Sequence, residues 1–188
     1  MNLPRRVVLS RKGFDGGTGF VPSPILDDGI MLSLPIPDTA GTVSYEALSF
    51  HEHSYGKIIS DLGAKRNSKK SGRLPLITSD KAHLDPDLIK ELYSRTPGWK
   101  PAYGQCGTAA SILRNNNITI GDLFIFFGWF KRCTFKNGKY QFIRKAPDIH
   151  VIFGYLRIGE IVNLSFQSAP EWAKDHPHLH GTHRNVKS

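Results

Sequence analysis

The chain has few of the features that mark secreted, membrane or disulfide-rich proteins. Its 188 residues include two cysteines, Cys106 and Cys133, whose spacing fits neither a disulfide framework nor a zinc knuckle. The longest apolar run, residues 123–130, is far shorter than the roughly 20 residues that cross a bilayer. No apolar segment of signal-peptide type follows the N-terminus. We therefore expect a cytoplasmic protein without a membrane partner, long enough to bury a core without disulfides.

Motifs of familiar catalytic chemistries are also missing. The sequence has no GxSxG elbow, no Walker loop and no HExxH motif. Histidines gather near the C-terminus, where HPHLHGTH (176–183) supplies four imidazoles. Zinc sites need three or four ligands held by a fold, and a His-rich stretch at a chain end is usually mobile. The sequence therefore predicts no metal and a mobile tail over residues 176–188.

Positive charge is what the chain does have. The formal net charge is +9, and two stretches carry basic residues without an acid: five in residues 65–73 and six in residues 131–145. Lys and Arg side chains bind phosphates and release counterions. A nucleotide, DNA or RNA is therefore the expected partner, although for residues 65–73 a solvated, mobile loop is the favoured interpretation.

The stretch LSRKGFDGGTGFVPSPI (9–25) places two cations, Arg11 and Lys12, between a predicted first strand and a glycine-rich loop. Such a loop is either a plain turn or a cradle for an anion, since glycines permit close backbone approach. Ser10, Lys12 and Asp15 could form a small acid/base set, but their spacing specifies no reaction.

The pattern along the chain predicts an α+β fold in one domain. Predicted strands cover 6–10, 30–34, 122–130 and 150–162, with a hairpin turn at Asn137-Gly138. Predicted helices cover 55–63, 85–95 and 108–114; in the second, Asp85 caps and Pro86 takes the first helical position.

Two further residues have both a structural and a functional interpretation. Gln105, in YGQCG before the third helix, could read a base edge, or the motif could simply allow close packing. Trp129 could stack on a base or belong to the core. The sequence does not decide between these alternatives.

Two resemblances sharpen the prediction. The segment IGDLFIFFGWF followed by HVIFGYLRIGEI resembles the small barrel of PUA-like domains, which often holds a nucleobase or RNA. Together with SRKGFDGGTG, PSPI, LSLPIP, HLDPDL and YGQCGTAA, in this order, it resembles the third nucleotide modification associated domain family. That family is known from gene neighbourhoods of DNA base modification and phage conflict, without a defined reaction. The resemblance implies an α+β domain spanning residues 1–188, built on a small PUA-like mixed barrel with packed helices.

The family's polar signature falls on nine residues of this chain: Ser10, Arg11, Lys12, Asp15, His83, Asp85, Gln105, Asp122 and His150. Asp122 is also interpreted as a simple turn residue. Two departures matter: many relatives have a His where this chain has Ile112, and relatives usually continue past HPH. The second departure leaves open that the domain is shortened at its C-terminus.

The leading hypothesis is a domain that binds a nucleotide or base and takes part in its modification. In it, Arg11 and Lys12 contact phosphate, and Ser10 and His150 belong to the same set of ligand- or phosphate-binding residues. Gln105 reads the base, and Trp129 or a neighbouring aromatic residue stacks on it. Asp15, His83 and Asp85 are the catalytic candidates. The alternatives are a non-catalytic reader of modified bases and a nucleotide-signal protein of phage defence or counter-defence; neither the reaction nor a cofactor can be predicted.

Overall fold

One long strand, β9, organises the molecule. The computed structural model describes residues 5–180. Within that range the strands are β1 Val7–Arg11, β2 Ser23–Ile25, β3 Val43–Ser44, β4 Ser49–Phe50, β5 His53–Ser54, β6 Lys65–Ser68, β7 Gly72–Pro75, β8 Lys81–Ala82, β9 Leu123–Lys136, β10 Lys139–Phe142 and β11 Ile149–Arg157. The helices are α1 Tyr55–Asp61 and α2 Gly107–Asn115, with 3-10 turns at Tyr45–Ala47, Lys90–Leu92, Glu171–Ala173 and Pro177–Leu179.

The main sheet is assembled on β9. β1 and β2 pair with it in parallel, whereas β10 and β11 pair with it antiparallel. β1 and β11 pair with the same stretch of β9, from residue 123 to 127, and so occupy its two opposite edges. Among the described residues these four strands pair with β9 and not with one another. The sheet is therefore open, so the mixed α+β class in a single domain is confirmed, but no closed barrel is found.

Alternation along β9 separates its two faces. Phe124, Phe126 and Phe130 are buried, while the alternate residues Ile125, Phe127 and Trp129 are half-exposed. Side chains of a strand point alternately to opposite sides, so the buried phenylalanines line one face. That face carries Tyr103, whose ring centroid lies 5.1 Å from that of Phe126.

The main hydrophobic cluster is formed by side chains of α1 and of the irregular segments that surround this helix. Tyr45, Ile58 and Ile59 are fully buried there, and Phe14 of the glycine-rich loop joins them. The backbone N–H of Phe14 donates to the carbonyl of Leu34 at 3.0 Å, which ties this loop to the segment 30–36. The loop is thus anchored at its start.

Several predicted elements are confirmed. α1 begins after Ser54, whose hydroxyl accepts from the N–H of Lys57, and Gly63 follows its end at φ +69°. The predicted hairpin turn joins β9 to β10, with Asn137 and Gly138 both at positive φ. Gly154 lies at a register shift in the pairing of β11 with β9, as expected for a bulge.

The helix predicted over 85–95 is wrong. Only Lys90–Leu92 forms a 3-10 turn there, because the groups expected to cap a helix have other partners. The Asp85 carboxylate accepts from the backbone N–H of Gly104 at 2.7 Å. Asp87 binds both terminal nitrogens of Arg95 at 2.5 and 2.7 Å. Contacts with Gly104 and Arg95 therefore hold the two carboxylates that were expected to stabilise the start of a helix.

Two other segments also differ from prediction. Residues 30–34 form only an isolated bridge, between Met31 and Ile25, because Leu32 and Leu34 are drawn into the core. Residues 65–73 are not an unstructured loop but form the hairpin of β6 and β7. Neither helix of the described chain has the length and apolar character needed to cross a membrane.

Candidate functional site

A cavity of about 500 Å³ opens between the end of β1, the segment 83–92 and β11. Its polar lining includes Arg11, Lys12, His83, Asp85, Gln105 and His178. Its apolar lining includes Met31, Ile36, Leu88, Ile89, Phe153 and Tyr155. A concave site of this size with a few converging polar groups on an apolar wall is typical of small-molecule sites.

The Asp85 carboxylate lies at the centre of the polar lining. Its side chain is fully buried, and Lys12 Nζ approaches its Oδ2 to 3.1 Å. The backbone N–H of Gly104 donates to the other oxygen, Oδ1. A buried carboxylate needs such partners, because an unpaired charge in the interior is costly. Lys12 and Gly104 belong to two of the segments singled out in the sequence, SRKG and YGQCG.

Three imidazoles surround the same carboxylate. The Nε2 atoms of His176 and His178 each lie 3.4 Å from an Asp85 oxygen, and His83 Nε2 lies 4.0 Å away. Burial by itself raises the pKa of Asp85, but His176, His178 and the Lys12 charge outweigh it and hold that pKa far below its usual range. Asp85 is therefore ionised throughout the physiological pH range.

His83 is held from its other side by a second carboxylate. Its Nδ1 lies 2.7 Å from Asp38 Oδ2. Burial lowers the pKa of His83, and this effect outweighs the opposing influence of Asp38 and Asp85. The Asp38 contact fixes the ring so that Nε2 is directed toward Asp85.

Tyr103 connects three of the predicted ligand-binding residues. Its hydroxyl lies 3.2 Å from Ser10 Oγ and accepts a short hydrogen bond from the Gln105 amide. Lys12 Nζ lies 4.5 Å from the centre of the Tyr103 ring, a favourable cation–π distance. Ser10, Lys12 and Gln105 are thus brought together, and Gln105 is held in a defined orientation at the cavity wall.

Arg11 and Asp15 form a second, more exposed group. Asp15 Oδ1 accepts from the backbone N–H groups of Gly17 and Thr18, each at 2.7 Å. Its other oxygen lies 3.8 Å from the half-exposed guanidinium of Arg11. Asp15 therefore shapes the glycine-rich loop, whereas the Arg11 side chain remains accessible at the cavity.

Trp129 and His150 are not brought to this cavity. They pair across β9 and β11, and Trp129 alternates with the buried Phe130. Both therefore lie on the sheet face that points away from Tyr103. Asp122 is buried and accepts from the N–H groups of Arg6 and Thr119 at 3.0 and 2.9 Å, as expected for a turn residue. Ile112 is exposed on α2.

The histidines of HPH were not predicted as site residues. The 3-10 turn Pro177–Leu179 lies between His176 and His180, with Pro177 buried, while residues 181–188 of the predicted tail lie outside the described residues. The position of the two rings depends on Gly104, which is distant in sequence, because a Cβ atom there would lie 2.5 Å from His178 and 2.8 Å from His176. The small residue of YGQCG makes room for the two rings.

The arrangement offers two kinds of chemistry. An ionised carboxylate among imidazoles and an ammonium group can take up, release or hold a proton on a bound molecule. One ligand atom from each of His83, Asp85 and His178 also lies within 4.8 Å of the others, a spacing that could hold a metal ion. Asp38 would then be the outer partner of His83.

Comparison with known proteins supports the family resemblance. The family described as nucleotide modification associated domain 3 matches residues 6–188, which is nearly the whole chain. No curated protein and no solved structure matches this chain. The match includes β1, the segment 83–92, YGQCG and HPH, which are the segments that build the cavity. The chain therefore belongs to the nucleotide modification associated domain 3 family.

Proposed function

We propose that the cavity binds a nucleotide, or a single base of a nucleic acid, and holds it for chemical modification. The observation that carries the proposal is the buried Asp85 carboxylate, which faces a cavity of about 500 Å³ together with Lys12 and imidazoles. A site that only recognised a base would not require such a concentration of ionisable groups. The family's link to nucleotide modification agrees with this.

The apolar wall suits a base, and the cations suit a phosphate. Leu88 and Phe153 line the cavity, and the Phe153 ring lies on the sheet face of Phe126, with the two ring centroids 6.4 Å apart. Stacking on aromatic rings tolerates any base, because every base has a π-face. Arg11 can bind a phosphate with its planar fork, and Gln105 can hydrogen-bond to a base edge. We therefore assign stacking to Phe153 and not to Trp129.

Asp85 and His83 are the candidates for proton transfer. Both line the cavity, and Asp85 is kept ionised by its surroundings. Asp15 receives no such role, because one of its oxygens is already used by two backbone N–H groups. Lys12 neutralises Asp85 and can also move toward a substrate phosphate.

A basic hairpin stands beside the loop that lines the cavity. The N–H of Lys65 donates to the carbonyl of Gly19, and the Asn67 amide donates to that of Gly17, both at 2.9 Å. Lys69 and Lys70 at its tip are exposed. Exposed cations next to a base pocket fit a nucleic-acid backbone whose base enters the pocket, as in enzymes that flip bases.

The proposal is tested by titrating the protein with nucleotides and short single-stranded and duplex DNA at low salt. Arg11→Ala is expected to weaken binding about tenfold or more, because a charged hydrogen bond contributes roughly 1.5–3 kcal/mol. Lys139→Ala, on β10, removes an exposed charge outside the cavity lining and is the matched control. Absence of binding to any nucleotide, ordinary or modified, refutes the proposal.

Mass spectrometry of the incubated nucleotide or DNA separates modification from recognition. A product that disappears with Asp85→Asn supports the proposed chemistry. Binding without a product, with no effect of Asp85→Asn, favours a reader of modified bases. A third outcome favours a nucleotide-signal protein. In it, the protein binds a free nucleotide but not DNA, and Lys69→Ala and Lys70→Ala do not change the nucleotide affinity.

A further inference from the structure

We infer that His83, Asp85 and His178 form a binding site for a divalent first-row transition-metal ion in the wall of the cavity. The inference deepens the proposed function, on which the ion's relevance to nucleotide chemistry rests. It also departs from the sequence-based prediction of no metal. That prediction depended on a mobile HPH segment, whereas His178 is packed against Asp85.

The spacing of the three side chains is close to that of a coordination shell. His83 Nε2 and His178 Nε2 lie 4.0 and 3.4 Å from the same oxygen of Asp85. Ligands placed about 2.0–2.2 Å from a tetrahedral ion lie roughly 3.3–3.6 Å from one another. The three ligand atoms lie within 4.8 Å of one another, so the rings must move inward by up to roughly 1 Å to reach these separations.

The Asp38 contact prepares His83 for this task. Histidines that bind metals usually donate their second ring N–H to a carboxylate, which fixes the tautomer. His83 Nδ1 makes such a contact with Asp38 Oδ2, at 2.7 Å. With that proton on Nδ1, Nε2 presents a lone pair toward the Asp85 carboxylate. A metal ion bound by this lone pair and the carboxylate would therefore meet His83 already in the required tautomer and orientation.

His176 supports the carboxylate and is not one of the proposed ligands. Its Nδ1 accepts from the N–H of His178 at 3.4 Å, so the neutral ring carries its proton on Nε2. That Nε2 lies 3.4 Å from Asp85 Oδ1, whereas His83 and His178 approach Oδ2. Asp85 Oδ2 is therefore the oxygen that faces the two proposed imidazole ligands.

Lys12 is the natural competitor of the ion. Its ammonium group lies 3.1 Å from Asp85 Oδ2 and neutralises the carboxylate. When a metal ion binds, the Lys12 ammonium group can leave Asp85 and keep its cation–π contact with the Tyr103 ring. If the two cations compete, removing the lysine charge raises the affinity for metal. If Lys12 alone completes the site, its removal creates no metal affinity.

The ligand set defines the class of ion. Two imidazoles and one carboxylate suit zinc, iron(II), cobalt and related ions better than magnesium or calcium, which prefer oxygen ligands. Three protein ligands also leave positions for water or substrate, as in catalytic metal sites. Those positions would face the cavity, since all three residues line it.

The test uses the full-length protein, stripped with a chelator and dialysed, then titrated with Zn²⁺, Mn²⁺ and Co²⁺ alone. Calorimetry should show binding of about one ion per chain, and Co²⁺ should give a visible absorption spectrum. His83→Ala, His178→Ala and Asp85→Asn should each abolish saturable binding. Asp38→Asn should weaken it about 10- to 100-fold. His150→Ala, on the opposite sheet face, should leave it unchanged.

The Lys12→Met variant tests the inference even if the ligand variants fold poorly. It keeps all three ligands and should bind the metal ion more tightly than the wild-type protein does. The inference is overturned if the wild-type and Lys12→Met proteins bind no ion. It is equally overturned if binding survives the combined His83→Ala and His178→Ala changes, which would place the ion elsewhere. Nucleotide titration in chelator separates this failure from failure of the proposed function, because a nucleotide can bind while no metal does.

Discussion

Replacing Gly104 by alanine tests whether YGQCG and HPH form one unit at the cavity. An added Cβ would lie 2.5 Å from His178 Cδ2 and 2.8 Å from His176 Cε1. Both distances are below any ordinary carbon–carbon contact, so the two rings must shift. Because the N–H of Gly104 also donates to Asp85, movement of the backbone instead of the rings would lengthen that hydrogen bond.

The expected loss of stability follows from overpacking. Inserting one methyl group into a well-packed site costs about 1–3 kcal/mol. For a chain of this length, that corresponds to a fall in Tm of roughly 2–12 °C, at about 2–4 °C per kcal/mol. Gly104 does not have a positive φ, so backbone strain adds nothing to this figure.

Thermal unfolding of Gly104→Ala and Gly159→Ala provides the measurement. Gly159 has open space where a Cβ would go, so its substitution should change stability by no more than about 1 kcal/mol and in the favourable direction. Nucleotide affinity should fall for Gly104→Ala and stay constant for Gly159→Ala.

A double-mutant cycle makes the reasoning refutable. His178→Ala removes the ring that the new methyl group meets most closely, so Gly104→Ala should cost less in that background by about 0.5–3 kcal/mol. If Gly104→Ala is as stable as the wild type, or if its cost is the same with and without the His178 ring, the packing argument is wrong.

The remaining predictions concern the buried ion pair and the cysteines. Arg95→Met should destabilise the protein by about 3–5 kcal/mol in urea unfolding, because it leaves the buried Asp87 unpaired, whereas Lys100→Ala breaks an exposed pair and should cost less than about 1 kcal/mol. Equal costs would contradict this. Burial raises the pKa of the Cys133 thiol to about 11, so at neutral pH iodoacetamide should label Cys106 first, as read by mass spectrometry. Since the unfolded thiol ionises near 9, the contribution of Cys133 to stability should decline between about pH 9 and 11, and a Cys133→Ser variant should lack that decline.

Local patterns predicted the elements whose stability comes from neighbouring residues. The strand β9, the Asn137-Gly138 turn and the helix α1 with Gly63 after its end all follow from short-range geometry. The same local logic failed at Asp85. A residue well suited to cap a helix was drawn instead to Gly104 and Lys12, which are distant in sequence. Hydrogen bonds to partners far along the chain leave no local trace.

The basic character of the protein, its α+β class and its family could be predicted without the structure, because composition, periodicity and motif order are properties of the chain. The sequence also indicated Lys12, His83 and Asp85. The tertiary structure was needed to show that His176 and His178 join them, that Trp129 and His150 face the other way, and that the strands of residues 5–180 form no closed barrel. The reason is physical: a buried carboxylate gathers its partners through space, and strand pairing, not residue type, decides which face of a sheet a side chain occupies.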